Sequence, residues 1–151
     1  MSTAGSEEQV SRRSDPWPTI AVVGAGAVGG YFGGMLARAG APVMFIGRAA
    51  FVDAVKQNGL FLDTVQFQER VNVTAATDIS AAREAEIILF CVKTVDTVGT
   101  ARDLAKVLTR DAVIISMQNG VDNAEQIAAA CGLKALPAAV YIAASVLRPV
   151  L

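Results

Sequence analysis

The chain has 151 residues, 53% apolar and 18% charged, and its 13 Lys plus Arg against 14 Asp plus Glu give a formal net charge of -1. That is the size and composition of one domain with a real core; it excludes disorder for most of the chain and offers no basic excess for a nucleic-acid backbone or an anionic membrane. The absence of His excludes His triads, imidazole bases and His metal sites within this chain, and Cys91 and Cys131 are too widely spaced for a zinc site or a disulfide scaffold, so a reducing, cytoplasmic compartment is expected.

Residues 1–18 are polar and charged, lack an apolar h-region, and read as a disordered lead-in rather than a secretory signal, leaving 19–151 as one domain. Ile20–Val23 is a short apolar run ending at Gly24, the pattern of a buried strand. Ala27–Ala39 reads as a helix stopped by Gly40. Val43–Ile46 is a second buried strand, and Ala50–Gln57 a short helix closed by Asn58-Gly59. Leu60–Leu62 and Phe67–Val73 read as two short strands, a hairpin or an excursion at the sheet edge. Ile87–Val92 carries the strongest buried-strand pattern in the chain. Thr97–Leu108 reads as an amphipathic helix capped by Asp96 and Thr97, with no chemistry assigned to either. Val113–Ser116 is another strand, Asn123–Ala130 another helix, and Ala138–Ala143 a last strand. The apolar stretch Ala135–Leu147, broken by Pro137 and Ser145, is shorter than the ~20 residues a membrane span needs. Continuous apolar strands alternating with helices define the class as α/β, a doubly wound, Rossmann-like parallel sheet covered on both faces.

Gly24-Ala25-Gly26-Ala27-Val28-Gly29 matches G-x-G-x-x-G between a strand and a helix, the context that makes this pattern a dinucleotide site. Gly24 allows the tight turn, Gly26 lets a pyrophosphate approach the backbone, and Gly29 lets the helix pack close to the sheet. The helix N-terminus adds unpaired N–H groups and a positive dipole end. The bland alternative is a plain glycine-rich turn. It is disfavoured because Gly30, Gly33 and Gly34 continue the series, each costing about 1 kcal/mol against Ala in a helix, which suggests close approach of neighbouring backbone.

NAD sites place a carboxylate about 20 residues past such a turn, on the ribose 2′-OH. Here that position holds Gly47-Arg48, and no carboxylate occurs between Gly29 and Asp53. A planar cationic fork at Arg48 suits a 2′-phosphate, which favours NADP over NAD; the alternative is an ordinary surface arginine. The same missing carboxylate counts against a methyltransferase. Two further strand ends carry polar residues. Lys93 follows Ile87–Val92 and can reach cofactor phosphate or ribose, or simply extend into solvent. Asn119 follows Val113–Ser116 and can meet a nicotinamide ribose or a substrate hydroxyl, or simply form an Asn-Gly turn.

Taken together, Gly24–Gly33, Gly47-Arg48, Cys91-Val-Lys-Thr94 and Gln118-Asn-Gly-Val121, in this order and spacing, resemble the N-terminal half of the ketopantoate reductase (2-dehydropantoate 2-reductase) family. The likeness runs from Thr19 nearly to the end. It implies an oxidoreductase that reduces 2-dehydropantoate to pantoate with NADPH, a step toward pantothenate and coenzyme A. It places the pyrophosphate on Gly24, Ala25, Gly26, Ala27, Val28 and Gly29, and the 2′-phosphate on Arg48. It puts Lys93 against the cofactor, Asn119 against both cofactor and substrate, and the Ala144 backbone near the nicotinamide. It implies a small 2-oxo acid as substrate, neither nucleic acid nor membrane as partner, and leaves homo-oligomerisation open. Family members continue into a helical domain that supplies a general-acid lysine. This chain is therefore expected to be the cofactor half, with no catalytic residue before Leu151 and no turnover by itself. A sibling reductase of another 2-oxo acid, a relative of the 6-phosphogluconate or glycerol-3-phosphate dehydrogenases, and a non-catalytic NADP-binding module remain as alternatives.

Overall fold

Every residue of β1 (Ile20–Val23) is buried, which a strand achieves only where both faces of its sheet are covered. Successive residues point to opposite faces. Ile20 and Val22 thus join one core cluster with Val43, Phe45, Val52, Val55 and Leu89, while Ala21 and Val23 join another with Ile88, Phe90, Ala101, Leu104, Ile114 and Ile127.

The computed structural model describes residues 16–147. After β1 come α1 (Ala27–Arg38), β2 (Val43–Ile46), α2 (Ala49–Asn58), β3 (Leu60–Asp63), β4 (Gln68–Val71), β5 (Thr74–Ala76), β6 (Ile87–Phe90), α3 (Thr97–Val107), β7 (Val113–Ser116), α4 (Asn123–Cys131) and β8 (Ala135–Pro137). Short 3-10 turns occupy Ile79–Ala82 and Thr94–Asp96. The main sheet runs β5-β2-β1-β6-β7-β8, with every neighbouring pair parallel. Its strand order reverses between β1 and β6, and in such sheets the ligand crevice lies at that point, beyond the carboxyl ends of the strands. The doubly wound α/β class expected from the sequence is the class observed. Among the described residues no helix is long and apolar enough to cross a membrane.

The hairpin expected over residues 60–73 forms, but its second strand stops at Val71, and Thr74–Ala76 turns away to pair with β2 as an edge strand. The hairpin sits against α1. A Cβ on Gly34 would stand 2.8 Å from Leu62 Cδ2 and 2.9 Å from Leu60 Cδ2. Arg38, at the end of α1, pairs with Glu69 at 2.6 Å and lies over the Phe67 ring.

Three expectations need correction. β6 ends at Phe90 instead of Val92, because Cys91 and Val92 bend over the glycine turn, with the Cys91 N–H still donating to the Val23 carbonyl at 2.7 Å. The last strand is Ala135–Pro137 rather than Ala138–Ala143, and residues 138–147 have no regular structure. A proline is tolerated there because an edge strand needs no donor on its open side. Asp96 makes no side-chain cap, and Thr97 is fully buried in a polar contact described below. The expected lead-in lies outside the described residues as far as residue 15, and Pro16–Pro18 have no regular structure. The chain's last residues, 148–151, also lie outside the described ones.

Candidate functional site

The turn after β1 is fitted to its neighbours atom by atom. Gly24 has φ +99°, a left-handed conformation that favours glycine, and a Cβ there would stand 2.6 Å from the Val92 nitrogen. A Cβ on Gly29 would collide with the Gly24 carbonyl and come within 2.9 Å of Val22 Cγ1. A Cβ on Gly33 would stand 2.6 Å from Phe45 Cζ. These glycines let α1 lie directly on the sheet.

Gly26 is different. It precedes the helix with φ -81°, which any residue adopts, and a Cβ on it would meet nothing within 4 Å. Neither backbone strain nor crowding demands a glycine there. Ser, Thr, Asp or Asn would accept a bond from the helix's first N–H groups, and no side chain does so here. No acidic residue lies in the first turn of α1. The unpaired N–H groups and the positive end of the helix dipole are thus left for an anion. Gly30 likewise meets nothing within 4 Å, so the close-packing expectation holds for Gly29, Gly33 and Gly34 but not for Gly30.

Three more strand ends come up beside this turn. The Gly24 N–H donates to the Ile46 carbonyl at 3.0 Å, and a Cβ on Gly47 would stand 3.0 Å from Ala25 Cβ. That puts Arg48, exposed at the start of α2, next to the glycine turn. On the other side, Gly24 rests on Cys91 and Val92, so Lys93 leaves the sheet next to the turn and is exposed. Asn119 is exposed one strand further, and its carbonyl accepts bonds from Thr94 Oγ1 at 3.3 Å and Asn123 Nδ2 at 2.7 Å. The residues from Gly24 to Gly29, Arg48, Lys93 and Asn119 thus share the carboxyl edge of the sheet. Ala144 does not join them by any hydrogen bond. It is exposed, in the irregular segment after β8.

Cys91 lies beneath the turn, and burial pushes its thiol up to about 12. It stays protonated at neutral pH and is no nucleophile. The carboxylates with lowered pKa stand elsewhere: Asp78 through the Ser80 backbone N–H, and Glu86 chiefly through the Thr19 backbone N–H. A hollow of about 610 Å³ lined by Thr19, Pro42, Ser80 and Arg83 lies at the opposite, amino edge of the sheet, away from the glycine turn.

Beneath Lys93 and Asn119 lies a buried polar cluster that the sequence reading passed over. Gln118 Nε2 donates to the Val92 carbonyl at 3.0 Å and to Thr97 Oγ1 at 2.8 Å, and Ser116 Oγ donates to Gln118 Oε1 at 3.0 Å. Thr97, Ser116, Gln118 and Asn123 are the buried polar residues among those described. The available signal was a serine ending an otherwise apolar strand and a glutamine two residues beyond it.

A strand, a glycine turn and a helix N-terminus at the point where a parallel sheet reverses its order define a Rossmann-like domain of the kind oxidoreductases use. The chain belongs to the ketopantoate reductase PanE/ApbA family, whose family model matches residues 20–150. The 2-dehydropantoate 2-reductase of Pyrococcus horikoshii is 35% identical over 108 residues, 72% of this chain and 35% of that protein. The crystal structure of a PanE/ApbA family ketopantoate reductase from Ralstonia eutropha JMP134 is 44% identical, with TM-score 0.80, and the match covers 83% of this chain and 42% of that one. A ternary structure of D-mandelate dehydrogenase with NADH and anilino(oxo)acetate is 25% identical, with TM-score 0.65, over 72% of this chain and 36% of that one. The chain spans about a third of the length of the curated relatives it matches.

Proposed function

We propose that the chain is the cofactor-binding part of an NADPH-dependent reductase that converts 2-dehydropantoate to pantoate, on the way to pantothenate and coenzyme A. The observation that carries the reading is Gly26. Its backbone conformation does not require glycine and no neighbour crowds it, so a helix start without a capping side chain leaves room for a ligand to approach the main chain. A pyrophosphate on the N-terminus of α1 is the ligand that uses this space.

In this reading the backbone from Gly24 to Gly29 holds the pyrophosphate. Arg48 holds the 2′-phosphate with its guanidinium fork. Lys93 steadies the nicotinamide half, Asn119 binds cofactor ribose and the substrate hydroxyl, and the Ala144 backbone lies by the nicotinamide. Bound NADPH supplies the hydride, and the chain's own residues bind, orient and exclude water. The general-acid lysine of the reaction would come from another domain, with this part supplying the cofactor site. The compartment is cytoplasmic and the substrate a small 2-oxo acid.

Titration of the chain with NADPH and NADH, followed by nicotinamide fluorescence, tests this. NADPH binds more tightly, and Arg48→Ala erases the difference by lowering NADPH affinity about tenfold to a hundredfold, the worth of charged hydrogen bonds. An NADPH preference unchanged in Arg48→Ala sinks the 2′-phosphate assignment. A second reading, a sibling reductase of another 2-oxo acid, is favoured by the likeness to D-mandelate dehydrogenase, whose structure carries NADH. A panel of 2-oxo acids offered to a protein carrying this domain and its catalytic partner domain separates the two.

A further inference from the structure

We propose that Gln118 is a positioning residue: its buried side-chain amide, anchored on Thr97, sets the spacing between Lys93 and Asn119 and so the grip on the nicotinamide half of the cofactor. This rests on the cofactor reading above and adds to it a residue pair that touches no ligand.

The geometry is specific. Lys93 and Asn119 stand on neighbouring parallel strands, each just past the last regular ladder bonds, where the sheet no longer holds the two chains in register. Two hydrogen-bonded bridges replace the ladder, one on each side of the pair. Before Lys93, the Val92 carbonyl accepts from Gln118 Nε2, and Gln118 immediately precedes Asn119. After Lys93, Thr94 Oγ1 donates to the Asn119 carbonyl. Asn123 Nδ2, from the first turn of α4, holds that same carbonyl at 2.7 Å. The backbone flanking Lys93 is therefore tied to the backbone flanking Asn119 at both ends.

Gln118 is the centre of this arrangement because its amide is fully used. Both N–H groups of Nε2 are spent, on Val92 and Thr97, and Oε1 accepts from Ser116. A side chain with every polar atom paired inside the protein has one rotamer, and it hands that rigidity to its neighbours. Thr97 is fully buried as the first residue of α3, so the anchor is the helix itself. Gly24 and Gly26, which meet the pyrophosphate, are not hydrogen-bonded to this cluster. Gly24 does rest on the Val92 backbone, but its N–H is tied to Ile46 on the β2 side, where Arg48 stands, so loosening the cluster moves chiefly the Lys93–Asn119 end and spares the adenosine end.

The experiment uses two ligands on the same chain: NADPH, and adenosine 2′,5′-bisphosphate, which has the 2′-phosphate and adenosine but no nicotinamide. Gln118→Leu keeps the volume and removes the amide. Its expected effect is a loss of about tenfold in NADPH affinity, the worth of a buried hydrogen bond, with adenosine 2′,5′-bisphosphate affinity unchanged. Thr97→Val shows the same split, and Thr97→Ser, which keeps the hydroxyl, restores NADPH binding. The Thr97 pair answers the question if Gln118→Leu fails to fold. Equal losses for both ligands together with a lowered Tm mean that the cluster is only structural, and the proposal falls. Wild-type binding of both ligands with no effect in any folded variant also overturns it, leaving the cofactor reading intact. A wild-type chain that binds neither ligand overturns the cofactor reading and this proposal with it.

Discussion

The two halves of the carboxyl edge are built by opposite means. Around β1, α1 and β2 the site is made of missing side chains: Gly24, Gly29 and Gly33 bring backbone against backbone, and Gly26 leaves a space. Around β6 and β7 it is made of side chains that reach across, with Gln118, Thr97, Ser116 and Asn123 doing what ladder bonds no longer do. A site for a long ligand needs both. In the proposed reading, one end admits a phosphate close to the main chain and the other holds two polar groups at a set distance.

The contrast can be broken most severely at Gly24. Gly24→Ala puts a Cβ on a left-handed backbone and 2.6 Å from the Val92 nitrogen. The two penalties together come to about 3 kcal/mol or more. Denaturant unfolding should show that loss, and a variant as stable as wild type contradicts the packing described. Gly26→Ala sharpens the comparison from the same turn. Stability should fall by only about 1 kcal/mol, the preference of a helix start for glycine over alanine, since nothing lies within 4 Å, while NADPH affinity falls about tenfold or more. Equal affinity in Gly26→Ala removes the main support for a pyrophosphate there. In the other half, Ser116→Ala leaves Gln118 Oε1 without its donor and should cost about 1 kcal/mol, with adenosine 2′,5′-bisphosphate binding unaffected.

A pH dependence from Cys91 probes the packing beneath the turn, and only its onset falls within the ordinary pH range. Its folded pKa, about 12, lies above the value of about 8.5 for a free thiol, so the fold favours the protonated form. That contribution is whole below pH ~8.5 and is lost as pH rises from there toward 12. Unfolding of wild type and Cys91→Ala compared across this range should show the wild type losing its advantage with rising pH. A constant difference means that Cys91 is not desolvated.

The first half of the site was legible in the sequence because its determinants are local. Strand, glycines and helix follow one another within Ile20–Arg38, and Arg48 stands at the start of α2, beside the turn. β1, β2 and β7 also have the expected limits, since continuous apolar runs mark strands covered on both faces. The second half was legible only as the exposed pair Lys93 and Asn119. Gln118 meets Val92 and Thr97 across separations of 26 and 21 residues, and no local pattern announces such partners. For the same reason β5 and β8 were missed or displaced. Both are three-residue edge strands whose identity comes from β2 and β7 rather than from their own sequence.

β1 has a further consequence, for the time course of folding. It lies between β2, its near neighbour along the chain, and β6, whose residues Ile87–Phe90 come more than sixty positions later. A nascent chain that has reached only Ala76 can pair one side of β1 and must leave the other side an open, wholly apolar edge. Such edges recruit other chains. Pairing β1 with β6 must close that long loop, an entropic cost that slows folding, and until β6 arrives the strand that carries the glycine turn keeps one edge open to other chains.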